Sequence, residues 1–119
     1  MTKCFVCNNN LNILKLKCNY CNTVYEGDFS FPILAKLSLN SQKLAIELIL
    51  AKGNLKELAQ ELNITYPTLK KRINDLHSEI IMLIKERNEE ISYIKNKIKN
   101  NEISKYEGEK LIKELSGDI

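Results

Sequence analysis

NLKELAQELNITYPTLKKRINDL, residues 54–76, is the stretch around which this chain is organised, because two helix signals meet there across a very short turn. Asn54 suits an N-cap, and Glu57 three residues later stands at capping-box spacing. Leu55, Leu58, Ala59 and Leu62 then recur at the i, i+3, i+4, i+7 spacing of a single apolar helix face. Asn63 tolerates the left-handed conformation that ends a helix, and Ile64 can plug the core from the turn. Thr65 can cap a second helix with Pro67 in its first turn, where a proline costs no hydrogen bond. A turn of about three residues is what a helix-turn-helix requires, and Ala59 is small enough for two helices to cross closely. Leu69, Ile73 and Leu76 continue the core face, so Pro67, Lys70, Lys71 and Asn74 point away from it, as the reading side of a recognition helix would. The plainer alternative is an αα-hairpin whose solvated face happens to hold Lys70, Lys71 and Arg72. Capping, turn length, Ala59 and the basic face agree on the helix-turn-helix.

Upstream, all four cysteines fall in the first 21 residues, as Cys4-x2-Cys7 and Cys18-x2-Cys21. Each C-x-x-C turns two thiolates toward one point, and two such knuckles supply a closed S4 site for one structural Zn2+ per chain. Two disulfides or a redox dithiol are the competing readings. The first is disfavoured in a reducing compartment, and the second wants a single C-x-x-C at a helix start. Asn8 and Asn22 follow the second cysteine of each pair, where a tight turn aims backbone amides at sulfur. Strands are expected over 11–17 and 23–28, making a zinc ribbon of residues 1–28. Residues 29–37, FSFPILAKL, read as an apolar strap, since Pro32 forbids a continuing central strand. Ser38 or Asn40 caps a supporting helix containing Leu44, Ile46, Leu48, Ile49 and Leu50, which ends at Lys52-Gly53. The helix-turn-helix domain is thus expected over 38–77.

Downstream, apolar residues step on through Ile80, Leu83, Ile91, Ile94 and Ile98, with Arg87 out of place. One long helix, or two broken near Arg87, is implied. Ser104 and Glu107 form another capping-box spacing ahead of Leu111, Ile112 and Leu115, so residues 78–119 end as a helical hairpin. The fold class expected is mainly α with a small β zinc ribbon.

The charge is mild. Residues 1–37 and 38–77 each carry an excess of two positive charges and residues 78–119 one negative, for a net +3. That permits nucleic-acid contact without the basic stripe and pI above about 9 that announce it. No apolar run reaches the roughly 18 residues of a membrane span, and Met1-Thr2-Lys3 leads into Cys4 without a signal-peptide core. A cytoplasmic protein is expected. His77 is the single histidine, the four glycines are scattered, and carboxylates alternate with lysines as solvated pairs do, so enzymatic chemistry is not expected.

The cysteine pairs, the strap with its proline, and the segments GNLKE and ITYPT together resemble a family of small bacterial proteins catalogued as a domain of unknown function. The helical part is similar to region four of bacterial sigma factors, and this resemblance implies contact with DNA or with transcription machinery. Phe5, Asn8, Asn19 and Asn22 stand where that pattern usually has proline and glycine. The tail KNNEISKYEGEKLIKEL resembles short helical oligomerisation modules of bacterial C-termini.

These readings converge on a DNA-binding transcriptional regulator. The helix from Thr65, with Tyr66, Pro67 and Thr68 in its first turn, enters the major groove of double-stranded DNA. Lys70 and Asn74 reach base edges, while Lys43, Lys71 and Arg72 hold phosphates. A homodimer through residues 80–98 is expected, since one recognition helix with few phosphate contacts binds weakly. The rival is a protein-interaction adaptor docking on RNA polymerase, a sigma factor or another transcription component, which the mild charge favours.

Overall fold

The computed structural model describes residues 1–116; residues 117–119, the end of the expected C-terminal segment, lie outside the described residues. Its elements run β1 (Asn12–Lys17), β2 (Val24–Ser30), α1 (Ile33–Lys36), α2 (Leu39–Leu50), α3 (Leu55–Glu61), α4 (Tyr66–Lys99) and α5 (Lys105–Ser116). The chain is mainly helical with one small sheet. It divides into a unit of Leu37–Glu86 and a unit of Met1–Lys36 with Arg87–Ile119.

The first of these is a three-helix core. Leu37, Leu44, Ala51, Leu58, Ala59, Leu69 and Leu76 are buried together, with Leu55, Leu62, Ile64 and Ile73 packed around them. Leu58 and Leu69 are 1 % and 0 % exposed, so the two helices of the motif pivot on that pair. Ala59 is buried where the close crossing requires a small side chain. Asn54 caps α3 by accepting from the Glu57 amide at 3.2 Å. The return half of the capping box does not form, because the Asn54 amide donates instead to the Ala51 carbonyl.

Both α2 and α3 stop in the same way. The amides of Lys52 and Gly53 turn back to Ile49 and Leu48, and those of Asn63 and Ile64 to Gln60 and Ala59. Each turn needs a left-handed residue: Lys52, Gly53 and Asn63 have φ of 54°, 76° and 54°. The α2 end is thus a Schellman turn with Lys52 in the position that glycine usually takes.

A contact that neither spacing nor propensity indicates holds the start of α2. Glu79, on α4, accepts from the Ser38 amide and the Ser41 hydroxyl, both at 2.6 Å, and from the Ser38 hydroxyl at 3.4 Å. Ser38 in turn caps α2 by accepting from the Ser41 amide. Burial pushes the Glu79 carboxyl up, but the hydrogen bonds from Ser41 and Ser38 outweigh it and hold the pKa below the ordinary value of 4.5. A depressed folded pKa contributes stability that is present above the unfolded value and lost as pH falls through the folded one. Glu79→Gln is therefore expected to lower stability by about 1–2 kcal/mol at pH 7. Urea titrations should show that deficit shrinking below about pH 4.5; a deficit equal at pH 7 and pH 3 would show that the charge is irrelevant.

In the other unit, β1 and β2 pair antiparallel with Lys15 opposite Glu26, Leu16 opposite Tyr25 and Lys17 opposite Val24. The register slips between Ile13 and Lys15, and the Asn12 amide reaches Asp28 at 2.9 Å. The segment expected as a strap is more ordered than that: Phe29 and Ser30 finish β2, and Ile33–Lys36 makes one helical turn after Pro32. The Asn10 amide donates to Glu90 of α4 at 3.0 Å. α5 begins at Ser104, which accepts from the Glu107 amide at 3.1 Å. It lies against α4 at Gly108, which is buried and has no room for a Cβ because Ile98 occupies that space.

α4 is continuous where a break near Arg87 had been an option, and the boundary expected between residues 77 and 78 falls inside it. Between Pro67 and Asn100 there is no proline or glycine, and a long side chain such as Arg87 can lay its stem along an apolar stripe without disturbing the backbone. Much of the apolar seam expected to join two copies is engaged within the chain. Ile80 and Leu83 pack on the helix-turn-helix core, and Ile98 against Gly108.

Candidate metal centre and nucleic-acid interface

The two C-x-x-C loops share one backbone design. The Asn8 amide donates to the Cys4 carbonyl and the Asn22 amide to the Cys18 carbonyl, each at 2.9 Å. Asn8 and Asn22 have φ of 58° and 62°, a conformation that asparagine tolerates better than most residues. The Cys4 and Cys18 amides close the loops onto the Asn9 and Thr23 carbonyls. This geometry turns amides toward sulfur, with the Val6 amide 3.4 Å from Cys4 Sγ.

Thiolate character follows from those donors. The Cys7 backbone, the Val6 backbone and then the Cys7 side chain hold the Cys4 thiol below its usual pKa. The hydroxyl of Thr23, 3.0 Å from Cys21 Sγ, does the same for Cys21, followed by the Thr23 backbone and Cys18. Cys4 thus converges with Cys7 and Cys18 with Cys21, and none of the four forms a disulfide. Among the described residues, no three His, Cys, Asp or Glu side chains draw together closely enough to hold an ion. The donor set nevertheless fits zinc, since four cysteines in two C-x-x-C knuckles are the kind of ligands a closed tetrahedral site takes.

The second candidate site is the exposed side of α4. Thr65 stands at its N-cap position, its Oγ1 2.8 Å from Thr68 Oγ1 and accepting from the Thr68 amide at 3.4 Å. Thr65, Tyr66, Pro67, Thr68, Lys70, Lys71, Arg72 and Asn74 are all exposed. They do not share one direction. At about 100° per residue, Pro67, Lys71 and Asn74 lie opposite Leu69 and Leu76, on the outermost face. Tyr66 and Lys70 take one flank, with Lys70 Nζ 5.7 Å from the Tyr66 ring centroid. Arg72 takes the other flank and lines a groove of about 450 Å³ with Asp75, Asn40, Ser41, Lys43 and Glu47. Lys43 and Arg72, two of the cations expected to meet phosphate, therefore share one groove, accompanied by two carboxylates. Lys43 is largely exposed, 4.0 Å from Glu47.

Among the described residues, no helix is long and apolar enough to cross a membrane. No curated protein and no solved structure matches the chain. Two family models do. Residues 4–35 match the DUF2089 zinc ribbon, and residues 37–81 match the Domain of unknown function (DUF2089)-HTH. A zinc ribbon and a helix-turn-helix are modules of the kind that binds other molecules. With ribbon and helix-turn-helix in the order of the two models, which together span well over half of its length, the chain belongs to the DUF2089 family.

Proposed function

We propose that the chain is a sequence-specific DNA-binding transcriptional regulator, in which α4 reads the major groove and the ribbon is a zinc-stabilised scaffold. The observation that carries this reading is the outer face of α4. Pro67, Lys71 and Asn74 stand clear of the core, next to a capped helix start and a helix-turn-helix turn. Lys70 and Asn74 are the residues assigned to base edges; Lys71, Arg72 and Lys43 are those assigned to phosphates. Thr65, Tyr66, Pro67 and Thr68 form the turn that enters the groove. Cys4, Cys7, Cys18 and Cys21 would hold one Zn2+, which cross-links the two knuckles and leaves no coordination position open. Self-association belongs to this reading, since two recognition helices bind paired half-sites.

The test is a mobility shift against the DNA upstream of the protein's own coding sequence, repeated over a range of salt. Each phosphate contact contributes about −0.9 to the slope of log affinity against log salt. Lys71→Ala should flatten that slope by about one unit per subunit and weaken all sequences alike. Asn74→Ala should cost about 1–3 kcal/mol on the preferred site only. If both variants bind like the parent, or the parent never exceeds non-specific affinity, the regulator reading fails.

A second reading, an adaptor that docks on RNA polymerase or a sigma factor, is favoured by the knuckle tips. Phe5, Val6 and Tyr20 are almost wholly exposed on loops that carry no charged side chain, which suits a protein surface better than a phosphate backbone.

A further inference from the structure

α2 is apolar on two sides. One side, with Leu44, Leu48 and Ala51, closes the helix-turn-helix core. The other carries Leu39, Ile46, Ile49 and Leu50, which remain 82 %, 59 %, 74 % and 75 % exposed. At about 100° per residue, Leu39, Ile46 and Leu50 fall along one line of the helix with Ile49 beside it, turned away from Leu44 and Leu48. Gln42 lies between Ile46 and Ile49, and Lys43 borders the line on its other side, next to Leu39 and Leu50. A helix face meant only for water does not concentrate four large aliphatic side chains on one side.

We infer that this stripe is a self-association surface, on which a second copy of the chain packs α2 against α2, antiparallel, about a two-fold axis level with Ala45. The choice of occupant rests on charge. One rim of the stripe carries Lys43 and, one turn on, Glu47, and these are a pair within the chain at 4.0 Å. An antiparallel two-fold sets each rim against the same rim of the other copy. With the axis at this level, Lys43 of each chain faces Glu47 of the other, so opposite charges meet on the rim while Ile46, Ile49 and Leu50 close the middle. A parallel pairing would set the rim of Lys43 and Glu47 against the opposite rim, where Gln42 and Ile49 stand, and give neither charge a partner.

The contact is small. A 12-residue helix is about 18 Å long and offers less than the ~800 Å² per partner of a standard stable interface. The dimer is therefore reversible, at micromolar or weaker affinity. Pro67, Lys71 and Asn74 lie on a different helix from this interface, whereas Lys43, assigned to a phosphate, would be engaged at its rim.

Sedimentation equilibrium of the full chain, without DNA, tests this independently of the DNA-binding proposal. The parent should shift from monomer to dimer mass between micromolar and several hundred micromolar. Ile46→Lys should hold the protein at monomer mass with an unchanged helical circular dichroism spectrum, since Ile46 lies outside the core. Lys43→Glu and Glu47→Lys should each weaken self-association at least tenfold, yet an equimolar mixture of the two should form a heterodimer. Neither result is expected from a side chain that merely supports the helix. A parent that stays monomeric throughout overturns the inference. So does an Ile46→Lys protein that dimerises like the parent, which would return self-association to residues 80–98. A mixture of the two charge variants that stays monomeric refutes the antiparallel pairing.

Discussion

Cys4→Ser, Cys21→Ser or removal of metal by a strong chelator is expected to abolish the fold of the ribbon while leaving the helix-turn-helix core assembled. The β1–β2 hairpin has little else to hold it. Leu14, Leu16, Val24 and Tyr25 remain exposed, the Lys15–Glu26 ion pair at 3.4 Å is solvated, and a lone two-stranded hairpin is marginal in water. Zinc bound by four thiolates supplies roughly 10–16 kcal/mol of apparent folding free energy in small metal-dependent modules, as much as an entire domain's net stability. Acidification should release zinc without a chelator, because protons compete for the thiolates. Elemental analysis should find one zinc per chain in the parent, and far-ultraviolet circular dichroism should lose its strand signal on chelation while helix content largely persists. A fully folded, metal-free parent with four titratable thiols would defeat the idea.

What the sequence discloses and what it conceals divide along sequence separation. Asn54, Thr65 and Ser104 lie within three residues of the amides they cap, and Asn8, Asn22 and Asn63 announce left-handed turns by their own chemistry. The stripe of Leu58, Ala59, Leu69 and Leu76 is likewise readable as period, because a helix face is a local property. Glu79 was not readable, since its partners Ser38 and Ser41 stand 41 and 38 residues away and nothing local distinguishes it from a solvated glutamate. Arg87 misled for a related reason. An out-of-register charge suggests a break, whereas helix continuity depends on the absence of proline and glycine, which residues 68–99 satisfy. α2 misled by excess: with apolar residues nearly all round, its periodicity could not say that Leu44 faces the core and Ile49 the solvent. Arg72 sits next to Lys71 in the sequence, yet the helix turns it to the groove beside Lys43, a separation of direction that a basic tripeptide does not reveal.

Leu69→Ala is expected to have the largest effect of any single substitution in the helix-turn-helix. Leu69 is wholly buried, one turn after the N-cap of α4, and belongs to the same core as Leu58 and Ala59 of α3. Its loss removes the burial of the deleted atoms and leaves a cavity where α3 and α4 cross. The contacts of Glu79 with the start of α2 restrain α4 from moving in to fill that cavity. Such truncations cost about 2–5 kcal/mol, out of a domain total of about 5–15. At roughly 4–8 °C per kcal/mol for a domain of this size, Tm should fall by at least about 10 °C. Lys71→Ala, two residues on but on the opposite, exposed face of the helix, should stay within about 0.5 kcal/mol of the parent. The two variants therefore separate the roles of one helix, because Leu69→Ala should weaken DNA binding in proportion to the folded fraction and recover on cooling. Lys71→Ala should weaken it at every temperature with Tm unchanged. A thermal scan in which Leu69→Ala melts like the parent would mean that α4 does not depend on this core, and the placement of its outer face would lose its physical basis.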